Sequence, residues 1–479
     1  MQGIQDLREA GKTKEALALA WHALEAAPGG RAQKHAVARI LRDDPDALDA
    51  GRAGDYLRLL TDPQMDPSGI SMAGWTLLLR DDGFQPPERD PAELAATLEH
   101  HPLALALLME DAVCVLAAEQ ALTGVRRWLL CAGRWRDFPT LGAALRAQAA
   151  LNGGAWPFGD DERARLADAA PDAVLMYLPR KPEVRAADDY GDAVTRAVAA
   201  QYEGWPYPPW RRLLHRPPTT LADEVRKRDP DWRGDFPTPA DILVAGCGTG
   251  RQAALIALRY PRDRITAIDI SEASLDYARS RCAANGIDGI AFQRLDLHEA
   301  GRLGKSFDAI MCTGVLHHLP DPEKGWEALV GVLKPGGIMH IMVYSRLARM
   351  RVAALRKMLG EVPQPIDDDR LRDVRRRVMG FAAPMIPASR DFFSLAAVHD
   401  LLVHRHEDPF DVARIRRALE RFGLELLRLD LPTPHLTARY RERFPHDPLR
   451  RDLASLARME LDMPTLFASM YDFWCRKPG

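Results

Sequence analysis

The stretch DILVAGCGTGRQ, residues 241–252, decides the fold. Residues 241–245 form a short apolar run of the kind that builds a buried strand. GCGTG, Gly246 to Gly250, follows at once, and a helical pattern starts near Arg251. Glycines are needed there because the chain must turn sharply between strand and helix, and because a ligand must come close to the backbone. Downstream, short apolar runs alternate with helical patterns. The runs are ITAID (265–269), IAFQR (290–294), FDAIMC (307–312) and IMHIMVY (338–344), with LELLRLDL (424–431) and YDFWCRK (471–477) much later. This alternation predicts a parallel sheet with crossover helices.

The ends of the predicted strands carry the chemistry. The second ends in Asp269, 21 residues after Gly248, the spacing of an acidic side chain that accepts hydrogen bonds from ribose hydroxyls. Ser271 then stands as an N-cap. Asp296 and Leu297 follow the third strand, an acceptor for an adenine amino group and an apolar face for its ring. The fourth leads into TGVLHHLPDP, residues 313–322, whose Asp321 and Pro322 open a helix at N-cap and N1. LKPGG, residues 333–337, turns the chain into the fifth strand.

As an ordered set, VAGCGTG, AIDIS, RLDLHE, FDAIMCTGVLHHLPDP and LKPGGIMHI resemble the class I S-adenosylmethionine-dependent methyltransferases. The glycines fall as GxGxG, whereas a nicotinamide dehydrogenase favours GxGxxG/A. The resemblance implies an α/β, Rossmann-like seven-stranded methyltransferase sheet with its last strand antiparallel. It implies S-adenosylmethionine as cofactor, held by Gly246, Cys247, Gly248, Thr249, Gly250, Asp269, Ile270, Asp296, Leu297 and Thr313. It also makes residues 345–423 and 432–470 helical insertions within one domain, 241–479. Many family members carry an acid where Val244 stands, so the hold on the methionine end is in question. In the mechanism the family implies, an acceptor nucleophile attacks the sulfonium methyl in line, and the protein mainly supplies proximity and orientation. A general base is needed only for a protonated, weakly acidic acceptor.

Upstream lies QYEGWPYPPW, residues 201–210. Its prolines keep the chain extended and its aromatics offer large rigid faces. We expect a lid in which Tyr202, Trp205, Tyr207 and Trp210 line the acceptor pocket. The other reading is a connector that packs its aromatics on the sheet. Tyr344 and His404 complete the expected substrate set. His317 and His318 stand on the ligand side of the sheet and are the candidate catalytic residues, although paired histidines there often only shape the loop. The run HDLLVHRHED, residues 399–408, invites a metal reading, but histidine spacings of five and two fit neither HExxH nor a facial pair on one helical turn. No metal is expected.

Residues 1–185 read as an all-α domain rich in Ala, Leu and Arg, with Pro102 to Glu119, Leu122 to Cys131 and Leu141 to Leu151 as helical segments. Residues 186–240 form a linker and lid segment, and RKPEVRAADDYGD, 180–192, is its polar start. The segment 7–28 resembles one tetratricopeptide helix pair, with Gly11, Ala16, Leu17, Ala20 and Pro28 at family positions. No second copy follows at a period of about 34 residues, so any alanine-rich helical hairpin fits as well.

Composition narrows the rest. Lys and Arg total 65 against 67 Asp and Glu, which speaks against a dedicated nucleic-acid coat or a polybasic membrane binder. The arginines between 346 and 377 are interleaved with aspartates and read as a solvated face. Six cysteines, none within four residues of another, give no zinc or redox spacing and point to a reducing compartment. There is no apolar signal core at the amino terminus and no run of about 18 apolar residues. The expectation is a cytoplasmic methyltransferase whose oligomeric state is open, without nucleic-acid or membrane partners. A helical-repeat surface favours a peptide or protein acceptor. VLHHLPDP looks more like small-molecule members, and a non-catalytic cofactor-binding or assembly protein is the third reading.

Overall fold

A computed structural model describes residues 2–80, 90–179, 191–382 and 390–479. The polar linker start at 180–192 lies almost wholly outside them. The sheet has seven strands: β1 Asp241–Ala245, β2 Arg264–Asp269, β3 Ile290–Arg294, β4 Phe307–Thr313, β5 Leu333–Val343, β6 Glu425–Asp430 and β7 Tyr471–Arg476. Their order is β3-β2-β1-β4-β5-β7-β6. β1 to β5 are mutually parallel, and β7 runs antiparallel between β5 and β6. β5 begins at Leu333, so LKPGG is already part of the strand.

The sheet is apolar on both faces because helices cover both. Leu243, Ala245, Ile310, Cys312 and Ile341 pack on one side with Trp326 and Phe473. Ile242, Val244, Ala309 and Met311 pack on the other with Ala253 and Tyr260. Val244 therefore sits in an apolar layer. Register pairs Ala245 with Ile268 and Val244 with Met311. The carboxyl ends of β1, β2 and β4 thus finish level, and the chain leaves neighbouring β1 and β4 in opposite directions. Such a switch point opens a crevice for ligands.

The segment between β5 and β6 divides in two. Its last helix, Val412–Arg421, buries Val412, Ile415, Ala418 and Leu419 in the core under the sheet, so it is the crossover into β6. The earlier helices, Arg346–Leu359, Asp368–Ala382 and Leu395–Leu402, turn outward. Leu355, Leu371, Val374, Phe392 and Val398 pack with Cys114 and Ala155 of the amino-terminal helices. Buried Arg375 closes this joint, with Nη2 and Nη1 at 2.6 and 2.8 Å from the Glu119 carboxylate. Arg390 pairs with Asp111 at 2.6 Å. Arg349 and Arg356 both reach Glu407. Part of the supposed solvated arginine face is therefore internal glue.

The amino-terminal helices form a core of their own around Trp21, Tyr56, Trp75 and Leu107. The apolar run 102–119 does not make one helix. It splits into Pro102–Glu110 and Leu116–Cys131. Gln148 satisfies the backbone groups at the break: it accepts from Val113 N–H at 3.0 Å and donates to the carbonyls of Leu108 and Asp111 at 2.9 and 2.8 Å. Among the described residues no helix is long and apolar enough to cross a membrane.

Replacing Arg375 with Ala leaves the Glu119 carboxylate buried without its partner. The expected cost is about 3–5 kcal/mol, read as a lowered midpoint in urea unfolding, with R375A/E119A less damaging than the sum of the single variants.

Candidate active site

The glycine loop admits two close approaches. At Gly248, with φ +52°, an added Cβ would stand 2.8 Å from the Tyr207 carbonyl oxygen. At Gly250, with φ +77°, it would stand 2.5 Å from Ala278 Cβ. Both conditions exclude a side chain. The segment before the sheet is tied down on the loop. Thr249 Oγ1 donates to the Pro208 carbonyl at 2.5 Å, and Trp210 Nε1 donates to the Thr249 carbonyl at 2.8 Å. The helix Ala193–Gly204 leads into this segment. Its Glu203 accepts from the backbone N–H of Glu272 at 2.6 Å, at the positive start of the helix Glu272–Ala284.

Beneath this cover lies a cavity of about 450 Å³. Gly246, Cys247, Gly248, Asp269, Ile270, Asp296, Leu297 and Thr313 line it, as expected for the cofactor set, joined by Leu295 and Gln252. Thr249 and Gly250 are turned away from it, one holding the lid and the other packed on Ala278. Asp269 is buried and accepts from Gly248 N–H at 2.7 Å and Ser271 N–H at 2.9 Å. Burial pushes its carboxyl up to about 6, against the pull of those backbone donors. Asp296 spends Oδ1 on His298, both backbone N–H and ring. S-adenosylmethionine fits these groups: a carboxylate at the ribose position, apolar Ile270 and Leu297 for a flat ring, and a backbone turn no side chain could occupy. With Val244 buried, the polar groups near the loop end are Arg251, Gln252 and Thr313, where Thr313 Oγ1 meets Gln252 Oε1 at 2.7 Å.

The same cavity is also lined by Tyr202, Tyr207, Tyr344, His318, Asp400 and Met470. Two of the four expected lid aromatics are therefore there. Trp205 instead stacks on His399, with centroids 4.5 Å apart. Trp210 packs with Leu213, Ala254 and Cys282. His317 lies outside the lining: its Nδ1 accepts from Tyr344 N–H at 3.2 Å, and it braces the strand end. Asp400 and Met470 were not anticipated. Asp400 sits inside the histidine run considered for metal and shows no separate signal in the sequence.

Hydrogen bonds define the protonation pattern here. His318 Nδ1 faces the His406 carbonyl at 3.0 Å, so it carries the proton and leaves Nε2 as an acceptor. His404 Nδ1 accepts from His406 N–H at 3.1 Å. Its Nε2–H then donates to the Tyr202 oxygen at 3.2 Å, and Tyr202 donates to Asp400 at 2.8 Å. Burial lowers both imidazoles, His318 to about 4, and raises Asp400 to about 6. Both histidines are neutral at pH 7. His318, Asp400 and His404 each bring one donor atom within 4.8 Å of the others. A metal on His404 Nε2 would displace the bond to Tyr202 and force the ring proton onto Nδ1, at the cost of the bond from His406 N–H.

Comparison with known proteins agrees with this geometry. Residues 242–337 match the family described as "Methyltransferase domain". The chain is 35% identical over 231 residues to an uncharacterized protein of Synechococcus sp., covering 45% of this chain and 50% of that one. It is 28% identical over 187 residues to trans-aconitate 2-methyltransferase of Variovorax paradoxus, covering 38% and 68%. Among solved structures, PKMT2 from Rickettsia typhi in complex with AdoHcy aligns with a TM-score of 0.39 at 15% identity, over 55% of this chain and 54% of that one. The chain thus spans about half the length of the first relative it matches. Fold and site define an S-adenosylmethionine-dependent methyltransferase domain with the Rossmann-like sheet.

Asp269→Ala removes the carboxylate at the end of β2. Affinity for S-adenosylhomocysteine is expected to fall about 10- to 100-fold, the worth of a hydrogen bond to a charged group. Titration calorimetry checks this, and unchanged affinity would move the ribose site elsewhere.

Proposed function

We propose that this chain methylates a hydroxyl group of a small molecule, with Asp400 as the proton acceptor. The observation that carries this reading is the buried relay of His404, Tyr202 and Asp400 at the acceptor end of the cavity. A hydroxyl is a poor nucleophile until its proton is taken, whereas a carboxylate acceptor needs no base and would be repelled by Asp400. Bound S-adenosylmethionine supplies an electrophilic methyl on its sulfonium. The protein's own part is to orient the acceptor, exclude water and hold the proton. Asp400, raised to about 6 by burial, is the stronger base beside His318 at about 4. Tyr202 and Tyr344 direct their hydroxyls to its two oxygens, the latter at a long 3.5 Å. His318 Nε2 is an acceptor that orients the substrate.

A small acceptor is favoured because the lid and the 346–402 helices cover this end, and because the amino-terminal helices are fastened to those same elements. Their arginine–carboxylate joints make them a supporting wall, which weakens the case for a peptide-binding surface. The relatives named for trans-aconitate and for ubiquinone biosynthesis support a small acceptor, without bearing on the hydroxyl. All six cysteines are free, in keeping with a reducing, cytoplasmic setting.

Incubation with methyl-tritiated S-adenosylmethionine and size-fractionated cell extract tests the acceptor class. Label is expected in the low-mass fraction, and label confined to protein would overturn the reading. Once a substrate is found, kcat should fall as pH drops through about 6, where Asp400 gains a proton. Asp400→Asn should remove that limb and lower kcat about 10²- to 10⁴-fold, with S-adenosylhomocysteine affinity unchanged.

A further inference from the structure

A second cavity, of about 890 Å³, lies between the amino-terminal helices, the 214–217 connector and the β5–β7 face of the sheet. Its charge is unbalanced. Three of the four carboxylates on its wall are paired with arginines, and the fourth, Asp472, meets the ring of His340. Asp66 pairs with Arg251 at 2.6 Å, and Glu224 with Arg228 at 2.8 Å. Asp430 pairs with Arg428 at 2.6 Å, and Asp472 with His340 at 2.7 Å. Arg39 and Arg216 face the same space, and among the described residues neither has a carboxylate within ion-pair distance. His35 lines the same cavity near both, and its Nε2 is buried without a hydrogen-bond partner.

We propose that this cleft binds a small molecule bearing a phosphate or diphosphate group, held by Arg39, Arg216 and His35. Guanidinium groups match phosphate oxygens in paired hydrogen bonds. Burial first, and then the nearby charges of Arg216, Arg39 and Arg42, lower His35 to about 4 and keep its imidazole neutral. An entering phosphate reverses that field, so His35 can take a proton and become a third donor. Burial lowers Arg39 and Arg216, and like charge from Arg8 and Arg259 adds to it, with Asp43 and Glu224 opposing in part. A bound anion would relieve this repulsion. The site is distinct from the methyl-transfer pocket but shares a wall with it, since Arg251, Gln252 and Leu255 line both. A cleft enclosed by three parts of the chain suits a compact phosphate compound better than a nucleic-acid strand.

The test is titration of the full chain with inorganic pyrophosphate at low ionic strength, alongside inorganic phosphate and a single-stranded oligonucleotide. S-adenosylhomocysteine is titrated in parallel. Saturable pyrophosphate binding is expected, weakened at least about tenfold in R39Q/R216Q, as for loss of two charge-assisted contacts. The double variant R351Q/R370Q, which removes two exposed arginines outside the cleft, should bind as the parent does. Unchanged S-adenosylhomocysteine affinity and circular dichroism show that the variants are folded. Absence of saturable binding overturns the proposal. So does an equal loss in both double variants, or tight binding of the oligonucleotide without competition by pyrophosphate. Because the proposal does not rest on methyl transfer, loss of S-adenosylhomocysteine binding in the parent protein would count against the methyltransferase reading alone.

Discussion

The cavity depends on the seating of residues 207–210 against the glycine loop. The Tyr207 carbonyl approaches Gly248 so closely that no Cβ fits between them. Thr249 then ties the segment from both sides, donating to Pro208 and accepting from Trp210. Because the loop is anchored to β1 and β2, this contact also fixes the helix that carries Tyr202 and brings its hydroxyl to Asp400. Glycine at 248 therefore serves a backbone contact within the chain.

Two carboxylates of the cavity are tuned by the same force. Desolvation raises both Asp269 and Asp400 toward 6, but their partners differ. Asp269 is met by the backbone N–H groups of Gly248 and Ser271, which favour the carboxylate. Asp400 is met by phenol hydroxyls, with neutral imidazoles behind them, so a proton arriving there is tolerated. Burial raises both to similar values, and in both cases the hydrogen-bond donors pull the other way.

The amino-terminal helices are fastened to the half that carries the sheet. Arg375 with Glu119, Arg390 with Asp111 and Arg251 with Asp66 span the joint. Arg375–Glu119 is the fully buried one; such a pair adds little net stability over apolar packing but punishes a misplaced partner. These pairs hold the insertion at one distance from the sheet, and so hold Asp400 and His404 over the cavity. The same placement leaves the basic cleft on the other side of the helix Arg251–Arg259.

The sheet, the glycine loop and the cofactor edge were legible in the sequence because strand, turn and spacing are local. Apolar runs define the strands, and Asp269 and Asp296 lie at strand ends whose position follows from those runs. The acceptor end was only half legible. Tyr202 and Tyr207 stood out as aromatics, but Trp205 and Trp210 have the same signature and face elsewhere. Asp400 joins His318 and Tyr202 from far along the chain, and no local spacing encodes that meeting. The break at 111–115 likewise needs Gln148 and Arg390, which only the packed helices bring near. What the sequence determined by itself was set by periodicity and backbone geometry. What the tertiary structure decided was set by burial and by hydrogen-bond partners distant in the chain, since these choose which side chains face the cavity and which protons they hold.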